Sequence, residues 1–158
     1  ILLSVFNWSA SPRIAYVNNN DVISKYKGAQ EAQAKFDSES KVWQSNVETL
    51  KGELDSLNNL WQVESSQWSK DKRTNFAKQA KLKEENLNRY SQAVQQKAAA
   101  RQSELMNPIF ADLNKYIAEY AENQGYDLVL GTTNGNIVYA AKYTEITKEV
   151  ITYVNEQY

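Results

Sequence analysis

Between Phe36 and Trp61 an apolar or small residue returns at Phe36, Ser40, Trp43, Val47, Leu50, Leu54, Leu57 and Trp61. The spacing is 4-3-4-3-4-3-4, the heptad stripe that lets one helix bury a seam against another. No proline interrupts the chain from Val22 to Trp68, and the only glycines there are Gly28 and Gly52. The backbone therefore has little reason to leave the helix. A stripe this narrow calls for a partner helix.

A second helical stretch, about Lys72 to Met106, supplies one. Its seam reads Phe76, Ala80, Lys83, Leu87, Tyr90, Val94, Lys97, Arg101 and Leu105. Three of these positions are cationic, so the partner face is imperfect and pliable. Between the stretches, Ser65, Ser66, Ser69 and Asp71 in "SSQWSKDKRT" can reverse the chain. The expected element is an antiparallel helical hairpin. About 45 residues per helix at about 1.5 Å each give an arm of roughly 65–70 Å. An isolated pair of helices that long buries little and needs an anchor.

The two ends of the chain read as that anchor. After Pro12, Ile14, Tyr16 and Val17 form a short β-prone run, which Asn18–Asn20 break. Asp21 is the expected N-cap of the helical stretch after it. Asn107-Pro108 marks a break, with the proline suited to the first turn of a new helix. Ile109, Leu113, Tyr116, Ile117 and Tyr120 repeat at helical spacing, and Gly125 ends the helix. "YDLVL" (126–130) and "IVYAA" (137–141) read as two strands, at 127–130 and 137–140, around an Asn134-Gly135 hairpin turn. Thr144 is the expected cap of a last helix whose apolar face is Ile146, Val150, Ile151 and Val154.

The expected fold class is α+β, mostly α, with a coiled-coil arm projecting from a small β-sheet body. The division is 1–12 as a signal or anchor remnant or a frayed terminus, 13–24 and 106–158 as the body, and 25–105 as the arm, its tip near 65–75. "ILLSVFNWSASP" is apolar and then small and polar. It is too short for the roughly 20 residues that cross a bilayer, but it fits the tail of an export signal or of a signal anchor. Three short strands bury too little to stand alone, so the body is expected to oligomerise.

Composition narrows the chemistry. Among 158 residues there is no Cys and no His, and the net charge is −1. Cysteine nucleophiles, histidine bases and the usual zinc ligands are absent from the chain. No GxxxxGK[ST] loop occurs. The expectation is no enzyme activity, no metal and no cofactor. Nucleic acid is a poor fit, since the basic segment is small and lacks a stacking platform.

Three segments carry a resemblance: "RIAYVNNNDVI", "LMNPIFADLNKYIAEYAENQGYDLVL" and "NIVYAAKYTEITKEVI". Their order, with a coiled coil inserted after the first, resembles the Skp/OmpH family of periplasmic chaperones. The resemblance implies a jellyfish-like homotrimer with a β-rich assembly body and three helical arms around a cavity. It implies a periplasmic, ATP-independent holdase that binds unfolded outer-membrane proteins and prevents their aggregation. The oligomer core is then expected at Ile14, Tyr16, Val17, Val129, Ile137, Tyr139, Ile146 and Val150.

Charge and aromatics point to the tip. Residues 66–89 carry seven cations against three carboxylates, a net +4, while 29–68 carry a net −4. The candidate client contacts are Trp68, Phe76, Lys70, Lys72, Arg73, Lys78 and Lys81. Trp43 and Trp61 belong to the seam, which leaves Trp68 as the tryptophan expected to be most exposed to a client. A basic tip also suits weak contact with anionic lipid, or is charged for solubility alone. The alternative to a chaperone is a coiled-coil scaffold or spacer of the cell envelope that binds one specific partner.

Overall fold

The computed structural model describes residues 11–133 and 136–158. Strand β1 (Ile14–Asn18) leads into helix α1 (Asn19–Lys25) and helix α2 (Lys27–Glu64). A 3-10 turn (Ser65–Gln67) precedes helix α3 (Lys70–Gln124). Strand β2 (Leu128–Thr132), a second 3-10 turn (Lys142–Thr144) and helix α4 (Thr147–Glu156) complete the order. The chain divides into two compact units, one of residues up to Ala32 with Met106–Tyr158, the other Gln33–Leu105.

In the first unit β1 pairs with β2 in parallel, from Ile14 opposite Leu128 to Asn18 opposite Thr132. Parallel neighbours cannot be joined by a tight turn, and here everything from α1 to α3 forms the connection. The side chains of β1 alternate as a strand demands: Ala15 and Val17 are buried, while Ile14 is 48% exposed. On them pack Val22, Tyr26, Ala29, Leu113, Ile146, Val150 and Val154. The apolar face expected for the last helix is therefore present, with Val150 and Val154 fully buried.

Several local readings are corrected. Asn18, not Asp21, caps α1: its side chain accepts from the Asp21 N–H at 3.2 Å. Asp21 lies in the first turn, where its charge faces the helix dipole. Thr144 does not cap α4, which begins after Ile146. The threonine that matters is Thr147, whose Oγ1 accepts from the Asn18 N–H at 3.0 Å and donates to Glu145 Oε1 at 3.2 Å. The helix expected from Val22 is broken at Tyr26, which turns extended so that its ring enters the core. Gly28 makes room for that ring, because a Cβ there would lie 2.8 Å from Tyr26 Cε1.

Pro108 does not begin a new helix. It sits inside α3, where the proline removes a single backbone hydrogen bond and the remaining turns carry the helix on. Gly125 does end the helix, at φ +69, with the Tyr126 N–H donating to Ala121 O at 2.9 Å. The strand expected at 137–140 is absent among the described residues, and the Asn134-Gly135 turn lies outside them. The β1 edge that a further strand needs is partly taken by Glu145, which bridges Tyr16, and by the Ile146 N–H, which donates to Tyr16 O at 3.0 Å.

In the second unit α2 and α3 run antiparallel. Every predicted seam position of α2, from Phe36 through Trp61, is at least half-buried, and Trp43 is buried. On α3 the apolar seam positions obey the same rule, but Lys83 and Lys97 do not. Lys83 pairs with Glu53 at 2.5 Å, and Lys97 lies over the Trp43 ring at 5.0 Å. Ala98 takes the half-buried place beside it. At the turn Ser69 caps α3, its Oγ accepting from the Lys72 N–H at 3.3 Å.

Candidate functional site

Two surfaces stand out, one in each unit. The first is the hairpin turn. Its sequence is too polar to bury a chain reversal by itself, and aromatic rings do so instead. Trp61 stacks on Phe76 with centroids 5.9 Å apart, Trp68 meets Phe76 at 4.8 Å, and Trp61 meets Trp68 edge-on at 6.0 Å. Such pairs add stabilisation beyond the area they bury. Trp68 is only 7% exposed, so the expectation that it is the most exposed tryptophan is corrected. The extended backbone at Trp68 points its ring back between the helices rather than out from the turn.

Of the candidate contacts the structure brings together Trp68, Phe76, Lys72 and Arg73. Lys72 Nζ lies 4.3 Å above the Trp68 ring, and Arg73 Nε donates to Trp68 O at 3.1 Å. Lys70 and Lys78 are exposed, and Lys81 meets Glu85 at 4.0 Å. Sequence reasoning assigned Trp61 to the seam alone. It is a seam residue and a member of the aromatic cluster at once. Its signal was the spacing Trp61–Trp68, one heptad with a turn at its end.

Farther from the turn the seam is polar. Arg101 makes a two-pronged pair with Glu39, both bonds at 2.8 Å, and a third contact with Glu104 at 2.8 Å. The guanidinium's hydrogen bonds hold the Glu39 carboxyl below its usual range. Asn46 Nδ2 donates to Tyr90 OH at 3.0 Å, and the buried Ser40 Oγ has no partner among the described residues. The apolar seam is thus interrupted by polar contacts at several levels.

The second surface lies in the unit that holds the sheet. Ile14, Tyr16, Ile137 and Tyr139 line a groove of about 700 Å³. Tyr139 is 87% exposed and Val138 fully exposed, with Leu128, Leu130 and Tyr143 also open. Contiguous apolar exposure of this kind marks an interaction surface. Not all the residues expected there belong to it. Val17, Ile146 and Val150 are buried in the chain's own core, so they serve the fold of the single chain and are not part of the exposed face. Val129 is half-buried against that core. Their apolar character had suggested an interface, but period and face decide, and these side chains point inward. Leu128, Leu130, Val138 and Tyr143 were missed, because an apolar residue in a short strand reads as core until its face is known.

Among the described residues no helix is long and apolar enough to cross a membrane. The family model described as outer membrane protein (OmpH-like) matches residues 13–154. The chain belongs to the OmpH-like family. Among its curated relatives is the chaperone protein Skp of Photorhabdus luminescens, 25% identical over 142 residues, covering 90% of this chain and 85% of that one. The chaperone protein Skp of Pectobacterium atrosepticum is 22% identical over 151 residues, covering 96% and 90%. The fold matches that of a putative outer membrane chaperone (OmpH-like) from Caulobacter crescentus, with a TM-score of 0.80 at 14% identity. That match covers 94% of this chain and 87% of the other.

Proposed function

We propose that this OmpH-like protein is an ATP-independent holdase of the periplasm that binds unfolded outer-membrane proteins and keeps them from aggregating. The observation that carries the reading is the family match across residues 13–154, joined to relatives named chaperones over nine-tenths of the chain. The geometry supports it. A holdase must release cargo without a nucleotide cycle, and weak, adaptable surfaces suit that task. The polar, interrupted seam of the Gln33–Leu105 hairpin is such a surface, whereas a fixed scaffold favours a dry and regular one.

In this reading the hairpin is the arm that meets the client, with Lys70, Lys72, Arg73, Lys78 and Lys81 supplying the charge at its tip. Trp68, buried at the turn, holds the tip's shape rather than reaching for cargo. The protein assembles as a homotrimer through the exposed apolar face around Ile14, Tyr139 and Val138, which hides that face from water. Contact with anionic lipid through the tip is weak and secondary.

The test is a dilution experiment. A urea-unfolded outer-membrane β-barrel protein is diluted into buffer with and without this chain, no nucleotide present, and light scattering is recorded against chain concentration. Suppression that saturates near one oligomer per client is the expected result. Unchanged scattering with a folded, assembled protein would end the holdase reading and turn attention to a single envelope partner.

A further inference from the structure

Beside the aromatic cluster of the hairpin turn, α2 and α3 part to leave an open cleft of about 570 Å³. Its walls are Leu54 and Trp61 from α2 and Phe76, Ala77 and Ala80 from α3. The cause is in the sequence. Ala77 and Ala80 carry only a methyl group each, so the α3 wall stays shallow beside Trp61 and Phe76. The two rings are held by their mutual stacking and by Trp68 behind them, so the wall is preformed. The size falls in the range of ligand pockets, and the apolar lining matches them.

The rim is charged. Lys81 and Glu84 both border the cleft. Lys78 stands one turn before Lys81, and Lys70, Lys72 and Arg73 lie beyond. Among the described residues Lys70, Lys72, Arg73 and Lys78 make no ion pair with a carboxylate, and Lys81 reaches Glu85 only at 4.0 Å. An occupant that fills the cleft with an apolar ring therefore lies beside Lys81 and within a segment, 66–89, whose net charge is +4.

We propose that this cleft is a client subsite that takes an aromatic side chain of an unfolded polypeptide with an acidic residue beside it. The aromatic ring enters between Trp61, Ala77 and Ala80, and the carboxylate lies toward Lys81 and Lys78. This rests on the holdase reading and names the kind of segment that the hairpin selects.

The probe is a short unstructured Gly/Ser peptide with adjacent Phe and Asp and no Trp, titrated into the full chain while tryptophan emission is recorded. Two control peptides carry Lys for Asp, or Ser for Phe. The Phe-Asp peptide should shift the emission saturably. The Lys peptide should bind about two- to fivefold more weakly, as one exposed charge pair implies. The Ser peptide should lose roughly tenfold or more, as the loss of a buried ring implies. Ala80→Phe fills the cleft and should weaken Phe-Asp binding to the level of the Ser peptide. Lys81→Glu, a surface change that leaves the seam intact, should reverse the preference between Asp and Lys. Equal binding of the Asp and Lys peptides, or an unchanged preference in Lys81→Glu, would overturn the proposal. So would a response to phosphatidylglycerol vesicles with none to the peptide. The scattering test separates the two claims. If the chain suppresses aggregation while Ala80→Phe binds peptide normally, the subsite falls and the holdase stands. If the chain binds the peptide as expected but suppresses nothing, the holdase falls and the subsite stands.

Discussion

Trp68→Ala asks whether the turn is held by packing or merely capped by a polar loop. A tryptophan buries up to about 250 Å², and Trp68 is 7% exposed. Roughly 230 Å² is therefore hidden, which at about 25 cal/mol per Å² is ~6 kcal/mol. A compact unfolded chain already hides part of that surface, and the alanine methyl recovers a little, which lowers the figure to about 3–5 kcal/mol. The loss should be local, because the ring touches Trp61, Phe76 and Lys72, all within the turn. Native-state hydrogen exchange reads this directly. Amides from Trp61 to Phe76 should lose protection by about 3–5 kcal/mol, or become unprotected if the turn holds less than that. The amides of Val17 and Val150 should keep theirs. Val63→Ala, at a position 75% exposed, is the control and should stay within about 0.5 kcal/mol of the parent. Protection unchanged across Trp61–Phe76 in Trp68→Ala would refute the packing argument.

Val150→Ala should cost about 2–3 kcal/mol in urea unfolding, since Val150 is 0% exposed in the core around β1. Glu39→Gln tests the polar seam. Arg101 lowers the Glu39 carboxyl from its ordinary 4.5, so its contribution is complete above the unfolded value and disappears as pH falls through the folded one. Thermal unfolding should separate parent from variant most near neutrality, and the gap should close on acidification; a gap that widens in acid would reverse the assignment. Val138→Asp places a charge at a fully exposed position of the apolar face. It should reduce the mass in sedimentation while leaving the circular dichroism unchanged, and an unaltered mass would remove that face from the interface.

The heptad spacing from Phe36 to Trp61 determined the long helix, its buried face and its need for a partner, because a helical stripe is set by neighbours three and four residues apart. Gly125 ended a helix by the same local logic. The parallel pairing of Ile14 with Leu128 was legible only as two strand-prone ends that can meet; its direction and register depend on surfaces more than a hundred residues apart. The seam lysines show the same boundary. Periodicity put Lys83 and Lys97 on the buried stripe, but a cation does not stay buried when a carboxylate or a ring face lies within reach of its flexible stem. Trp68 reads as exposed where a chain reverses, and only the meeting of two helices with Phe76 between them turns its ring inward. Val17 and Tyr139 read alike in the sequence, as apolar residues of short β-prone segments. One is core and the other surface, because facing is a property of the packed unit and not of the residue.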